Sequence, residues 1–198
     1  MLLIALAQEK LYIKVWYHAL VKKIDNLSKH FYFNFVNNVK FCFMKTNTLK
    51  EGDNVPYFEG FNQNNEKISL ENFKGKKLII YFYPKDFTPG CTDEACNLRD
   101  NFNYWKSKGY EIIGISPDSV ESHLKFKEKY NLPFDLIADE NKEIINKFGV
   151  WGTKNLYGKV VEGVLRTTFV VNENGIIEKI YTKVNTKNHS EQLAKDLS

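Results

Sequence analysis

Two cysteines five residues apart, Cys91 and Cys96, stand in the run Tyr83-Pro84-Lys85-Asp86-Phe87-Thr88-Pro89-Gly90-Cys91-Thr92-Asp93-Glu94-Ala95-Cys96. The run follows a stretch of apolar residues and opens a segment with helical spacing. A thiol is a strong nucleophile only when deprotonated, and the free N–H groups and positive dipole end of a helix N-terminus favour that charged form. Cys91 is therefore a candidate activated thiolate. Cys91, Ala95, Leu98, Phe102 and Trp105 recur at steps of four and three, which predicts one helix with an apolar stripe facing the core. Thr88 and Pro89 suit its start, and Gly109 suits the left-handed residue that closes it.

Residues five apart on a helix are separated by about 7.5 Å of rise and about 140° of rotation. A disulfide needs Cα atoms within roughly 7 Å, so a bond between Cys91 and Cys96 requires the helix to unwind locally. Any chemistry joining the two sulfurs is thus coupled to opening of the first turns.

Elements on either side must hold this segment in place. Leu78 to Tyr83 reads as a central strand buried on both faces, and Glu111 to Ser116 as a second strand. Asp118 or Ser119 caps a helix through about Tyr130, with Glu121 placed to reach back to the cap. Phe134 to Ala138 reads as a strand and Lys142 to Phe148 as a short helix closed by Gly149. Leu165 to Val171 and Ile176 to Tyr181 flank Asn172-Glu173-Asn174-Gly175, a hairpin turn that ends the sheet antiparallel. A last helix spans about Ser190 to Leu197. The pattern is an α/β layer with a mixed sheet flanked by helices, and it puts Thr88 to Cys91 beyond the carboxyl end of a strand, where open α/β sheets form their sites.

The chain has 198 residues and is 43% hydrophobic, enough for one substantial domain. Six lysines against two acids before Met44 account for the whole net charge of +4, so the remainder is neutral. Arg99 and Arg166 are the only arginines, which argues against nucleic acid as a partner. Three cysteines and four scattered histidines make neither a disulfide framework nor a zinc site, and no metal or bound cofactor is expected. Cys42, between two phenylalanines, has no activating neighbour. Residues 1–43 contain no apolar run of membrane-spanning length and lack the features of a signal or transit peptide. They read as an N-terminal extension, disordered or an overlong start, ahead of a working domain at 44–198 in the cytoplasm.

Pro84-Lys85-Asp86, Thr88-Pro89-Gly90-Cys91-Thr92, Glu94-Ala95-Cys96, Arg99-Asp100, Gly114-Ile115-Ser116-Pro117-Asp118, Trp151-Gly152, Arg166 and Thr186-Lys187-Asn188-His189 together resemble the peroxiredoxins of the Q, or bacterioferritin-comigratory, type. The resemblance implies a thioredoxin-like fold and thiol-dependent reduction of hydrogen peroxide and organic hydroperoxides. It implies that Cys91 is the peroxidatic and Cys96 the resolving cysteine, joined in turnover by an intramolecular disulfide. Thr88 would orient the peroxide, Pro89 shield the thiolate, Arg166 stabilise thiolate and transition state, and Glu94 support the arginine. Thioredoxin, or glutaredoxin, would supply electrons to a monomer or weak homodimer.

Each residue also has a plainer reading. Thr88 alone would be a helix cap, Arg166 a strand-surface charge, Glu94 a first-turn acid and Arg99 with Asp100 a surface pair. A redox-sensing binding protein, with the Cys91–Cys96 switch controlling a partner surface, is the alternative function. A thiol-disulfide oxidoreductase is disfavoured by the absence of Cys-x-x-Cys.

Overall fold

The run at residues 77–82 forms the strand around which the domain is built. Its alternate side chains feed two cores: Leu78, Ile80 and Phe82 pack on one face of the sheet, and Ile79, Tyr81 and Tyr83 on the other. A computed structural model of the chain describes residues 49–156 and 159–197. The N-terminal extension and Cys42 lie outside the described residues.

In chain order the strands are β1 (Glu59–Asn62), β2 (Lys67–Ser69), β3 (Lys77–Phe82), β4 (Tyr110–Ser116), β5 (Asp135–Ala138), β6 (Trp151–Leu156), β7 (Lys159–Val164), β8 (Thr167–Val171) and β9 (Ile177–Tyr181). The helices are α1 (Pro89–Asp100), α2 (Phe102–Ser107), α3 (Val120–Tyr130), α4 (Glu143–Lys147) and α5 (His189–Leu197). Seven strands make one sheet in the order β2-β1-β5-β4-β3-β8-β9, and β6 with β7 forms a separate hairpin. The β3–β4 and β4–β5 pairs are parallel and the others in the large sheet antiparallel, as expected for the mixed sheet.

Register brings the site together. The last residue of β3, Phe82, pairs with the first of β8, Thr167, so the loop leaving β3 and the residues entering β8 share one end of the sheet. Helices α1, α2, α3 and α5 cover the face carrying Tyr81 and Tyr83, with Cys91, Ala95, Leu98, Trp105, Phe126 and Leu193 buried against it.

Three expectations change. The single helix from Thr88 to Gly109 is broken at Asn101, where the backbone leaves helical geometry (φ −102°, ψ 11°) and the side-chain amide donates to the Asn97 carbonyl at 2.9 Å. A side chain that competes for helix carbonyls ends the run, although the stripe continues into α2. Ser119 is the cap of α3, accepting from the Ser122 amide at 3.3 Å. The third helical position is thus Ser122, and Glu121 stands one residue too early for the reciprocal bond. Arg166 precedes β8 rather than lying within it.

Candidate active site

Thr88 occupies the cap position of α1 with extended backbone, but its hydroxyl does not bond the helix amides. It donates instead to the Lys85 carbonyl at 2.9 Å, folding the loop back on itself. The positive end of the helix is thereby left to the residues of its first turn. Pro89 is the first helical residue and is exposed. Phe87 takes the left-handed conformation (φ 60°), unusual for a bulky residue. Its ring meets Phe126 edge-on at 5.1 Å, with the Lys129 ammonium 5.5 Å from its centroid, contacts that offset the strain.

Cys91 is 1% exposed, and its sulfur accepts from the Arg166 Nη2 group at 3.1 Å. Arg166 turns its Nη1 to the Glu94 carboxylate, which is wholly buried one turn along the same helix. Burial alone would lower the Arg166 pKa, but the adjacent Glu94 and Cys91 outweigh it and hold the guanidinium above its ordinary value. Burial pushes the Glu94 carboxyl up to about 7 against the opposing pull of Arg166. Cys91, Glu94 and Arg166 are brought together, and Gly90 lies beside them, its missing Cβ position 3.6 Å from Arg166 Nη2. Of its plainer readings, Glu94 thus loses the first-turn one: it belongs to a buried network.

Cys96 is half-buried on the same uninterrupted helix, and both thiols are free. Burial raises the Cys96 pKa, with Arg99 drawing it partly back and Asp100 and Asp93 reinforcing the rise. Arg99 bonds Asp100 at 2.8 Å, as its surface-pair reading has it, and also reaches the Tyr130 carbonyl at the end of α3 at 2.7 Å.

A second buried cluster supports the loop and was not foreseen. The Asp86 carboxylate accepts from Tyr83 Oη at 2.8 Å and Ser122 Oγ at 2.7 Å, and lies 2.9 Å from His123 Nδ1. The Asp86 amide donates to Asp118 at 2.9 Å, and His123 Nε2 faces the Ile137 carbonyl at 3.2 Å. The available signal was that His123 stands three residues before Phe126, on the core side of α3. His189 carries the same signal, four and eight residues before Leu193 and Leu197. Among the described residues no group of three His, Cys, Asp or Glu side chains is placed to hold a metal ion, and no helix is long and apolar enough to cross a membrane.

A thiol aimed at by an arginine, on a helix that starts at the carboxyl end of a thioredoxin-like sheet, defines a thiol-based redox protein. The AhpC/TSA family model matches residues 52–180. Peroxiredoxin Bcp of Escherichia coli is 42% identical over 143 residues, 72% of this chain and 92% of that protein. A putative peroxiredoxin bcp of Buchnera aphidicola is 48% identical over 142 residues, 72% of this chain and 90% of its own length. The solved structure of the Xanthomonas campestris bacterioferritin comigratory protein superposes with a TM-score of 0.66 at 33% identity, covering 71% of this chain and 89% of its own. The chain belongs to the AhpC/TSA family, within its bacterioferritin-comigratory peroxiredoxins.

Proposed function

We propose that the protein reduces hydrogen peroxide and organic hydroperoxides through Cys91. The thiolate attacks one peroxide oxygen: an S–O bond forms, the O–O bond breaks, and the departing oxygen takes a proton to leave as water or alcohol. Negative charge grows on that oxygen, and fixed donors beside it lower the barrier. Arg166 is the donor we assign, joined by the Thr88 hydroxyl once its hydrogen turns from the Lys85 carbonyl, with Glu94 holding Arg166 and Pro89 limiting water at the helix start. The sulfenic acid of Cys91 then condenses with the Cys96 thiol, forming the disulfide and releasing water, once α1 opens. A thioredoxin-type dithiol, with glutaredoxin as the other possibility, takes up that disulfide. Such a reductant implies a reducing compartment, for which we propose the cytoplasm, and residues 44–198 are the unit we assign to catalysis.

The observation carrying this reading is the 3.1 Å bond from Arg166 to Cys91 Sγ with buried Glu94 behind the arginine. The alkyl peroxide reduction activity named for the Xanthomonas campestris protein supports the substrate class. The test is peroxide consumption by the full chain with thioredoxin, thioredoxin reductase and NADPH. Cys91→Ser should abolish it, Cys96→Ser should keep the first oxidation but lose turnover, and Arg166→Ala should slow the peroxide step by on the order of a hundredfold. Oxidation of wild type that stops after one turnover with every dithiol tried, but alters binding to another protein, would favour the redox sensor instead.

A further inference from the structure

Gly90 is the second residue of α1, between Pro89 and the reactive Cys91. Its φ is not among the positive ones, so no left-handed turn requires a glycine here. Close packing does not demand one either. A Cβ at this position would stand 3.6 Å from Arg166 Nη2, 3.9 Å from Thr186 Cγ2 and 4.0 Å from Thr186 Oγ1, all ordinary contact distances. Gly114 is the contrast, since the same atom there would collide with Tyr81 Cζ at 2.6 Å. Alanine is also the better helix former. Neither backbone nor packing accounts for Gly90, and what it leaves is a methyl-sized space at the helix start.

That space adjoins the reactive pair. Arg166 Nη2, one of its walls, donates to Cys91 Sγ at 3.1 Å. The sulfur's residue is 1% exposed and packs toward the sheet among Ala95, Leu98 and Tyr83. Thr88 and Gly90 are half-buried and Pro89 is exposed, so a reactant comes to the sulfur from the helix start, past Gly90. The other wall, Thr186, is half-buried in the turn between β9 and α5 and is held from both sides. The Asn188 amide donates to the Asn185 carbonyl at 3.1 Å, Gln192 Oε1 accepts from the Asn185 amide at 3.0 Å, and Asn97 of α1 donates to the Lys187 carbonyl at 3.1 Å. Among the described residues the Thr186 side chain itself makes no hydrogen bond. Its backbone is tied down, and the size of its side chain sets the width of the opening.

We propose that Gly90 and Thr186 determine which hydroperoxides the site accepts: the bare Cα of Gly90 admits the organic group of an alkyl hydroperoxide beside Cys91, and the Thr186 side chain limits its bulk. Hydrogen peroxide carries no organic group and does not use the space. A wall of a few atoms is enough, because one methylene more or less in an apolar contact changes discrimination by about ten- to two-hundredfold.

The substrate assignment rests on the function proposed above, whereas the shape of the opening is tested without peroxide. In stopped flow with the reduced full chain, the rate constant for tert-butyl hydroperoxide divided by that for hydrogen peroxide should fall roughly tenfold in Gly90→Ala and in Thr186→Leu, and rise in Thr186→Ala. An equal loss for both peroxides in Gly90→Ala, or a ratio that stays at the wild-type value, would overturn the proposal. Should Gly90→Ala not fold, the opposite signs of Thr186→Leu and Thr186→Ala decide, and equal ratios in those two variants overturn it. Alkylation of Cys91 by N-cyclohexylmaleimide relative to N-methylmaleimide, followed by peptide mass spectrometry, should change in the same three directions, because the two reagents share one reactive group and differ in bulk. Alkylation ratios indifferent to all three substitutions would overturn the opening as a size limit. A chain whose maleimide ratios behave as expected but which reacts with no hydroperoxide would sink the peroxidase reading and leave the size limit standing.

Discussion

At the scale of single residues, the two thiols sit in opposite surroundings although one helix carries both. Cys91 is buried with a guanidinium donating to its sulfur, whereas Cys96 is half-buried and held protonated by burial, with two acids nearby and Arg99 only partly compensating. On the function proposed above, the nucleophile and the resolving thiol are thereby distinguished before any oxidant arrives. Resolution needs Cys96 as thiolate, and its raised pKa means that this form grows as the pH climbs above neutrality. Formation of the Cys91–Cys96 disulfide after a peroxide pulse should accordingly accelerate toward alkaline pH. Arg99→Ala, by removing the compensating charge, should slow it at any given pH below that range. Rapid quench with thiol alkylation and mass spectrometry measures both, and a pH-independent rate would show that Cys96 ionisation does not limit the step.

At the scale of elements, the question is what holds α1 closed. Asn97, next to Cys96, is the tie: its Oδ1 accepts from the Ser190 amide at 2.7 Å and its Nδ2 donates to the Lys187 carbonyl at 3.1 Å, fastening the middle of α1 to the start of α5. Asn97→Ala should cost about 1 kcal/mol and raise the resolution rate roughly fivefold, because the opened state gains what the closed state loses. The buried Trp105, whose indole donates to Ser190 Oγ at 3.1 Å, offers a fluorescence signal for that opening. A second element-level constraint is the pairing of Tyr81 on β3 with Gly114 on β4. A Cβ at Gly114 would stand 2.6 Å from Tyr81 Cζ and 2.8 Å from Leu136 Cδ2. Gly114→Ala should therefore destabilise the domain by roughly 1–3 kcal/mol, seen as a lower urea midpoint with an unchanged slope. The stripe of α1, the buried run of β3 and the Gly175 turn between β8 and β9 were all legible in the sequence, because each is a local pattern. The β1–β2 pair was not, since strands of four and three residues are too short to show a period. Nor was the β6–β7 hairpin. The meeting of Arg166 with Cys91, 75 residues apart, follows from the β3–β8 register, which no periodicity encodes; only the family resemblance pointed to it. His123 and His189 stood on core stripes where a buried polar residue demands partners, yet those partners come from distant segments.

At the scale of the whole molecule, the sheet order places the helix after β3, the arginine before β8 and the last helix around one buried cluster, so protons bound there are tied to global stability. Glu94 has a folded pKa of about 7 against 4.5 for the free group; its contribution is complete below about 4.5 and lost as the pH rises to about 7. His189 has a folded pKa of about 4 against 6.5; its contribution is complete above about 6.5 and lost as the pH falls to about 4. Each amounts to about 3 kcal/mol across its window. Between pH 4.5 and 6.5 the folded chain keeps a proton on Glu94 that the unfolded chain gives up, while the unfolded chain binds one on His189 that the folded chain refuses. The two slopes cancel, and the pair is silent in wild type. Single substitutions should unmask them with opposite signs. Relative to wild type, the stability of Glu94→Gln should rise with pH across this window by up to about 1.4 kcal/mol per pH unit, and that of His189→Leu should fall. Urea unfolding of the three proteins at several pH values reads these slopes directly, whatever offset each substitution adds by loosening Arg166 or the packing of α5. Parallel curves for all three would mean that neither side chain changes its proton affinity on folding.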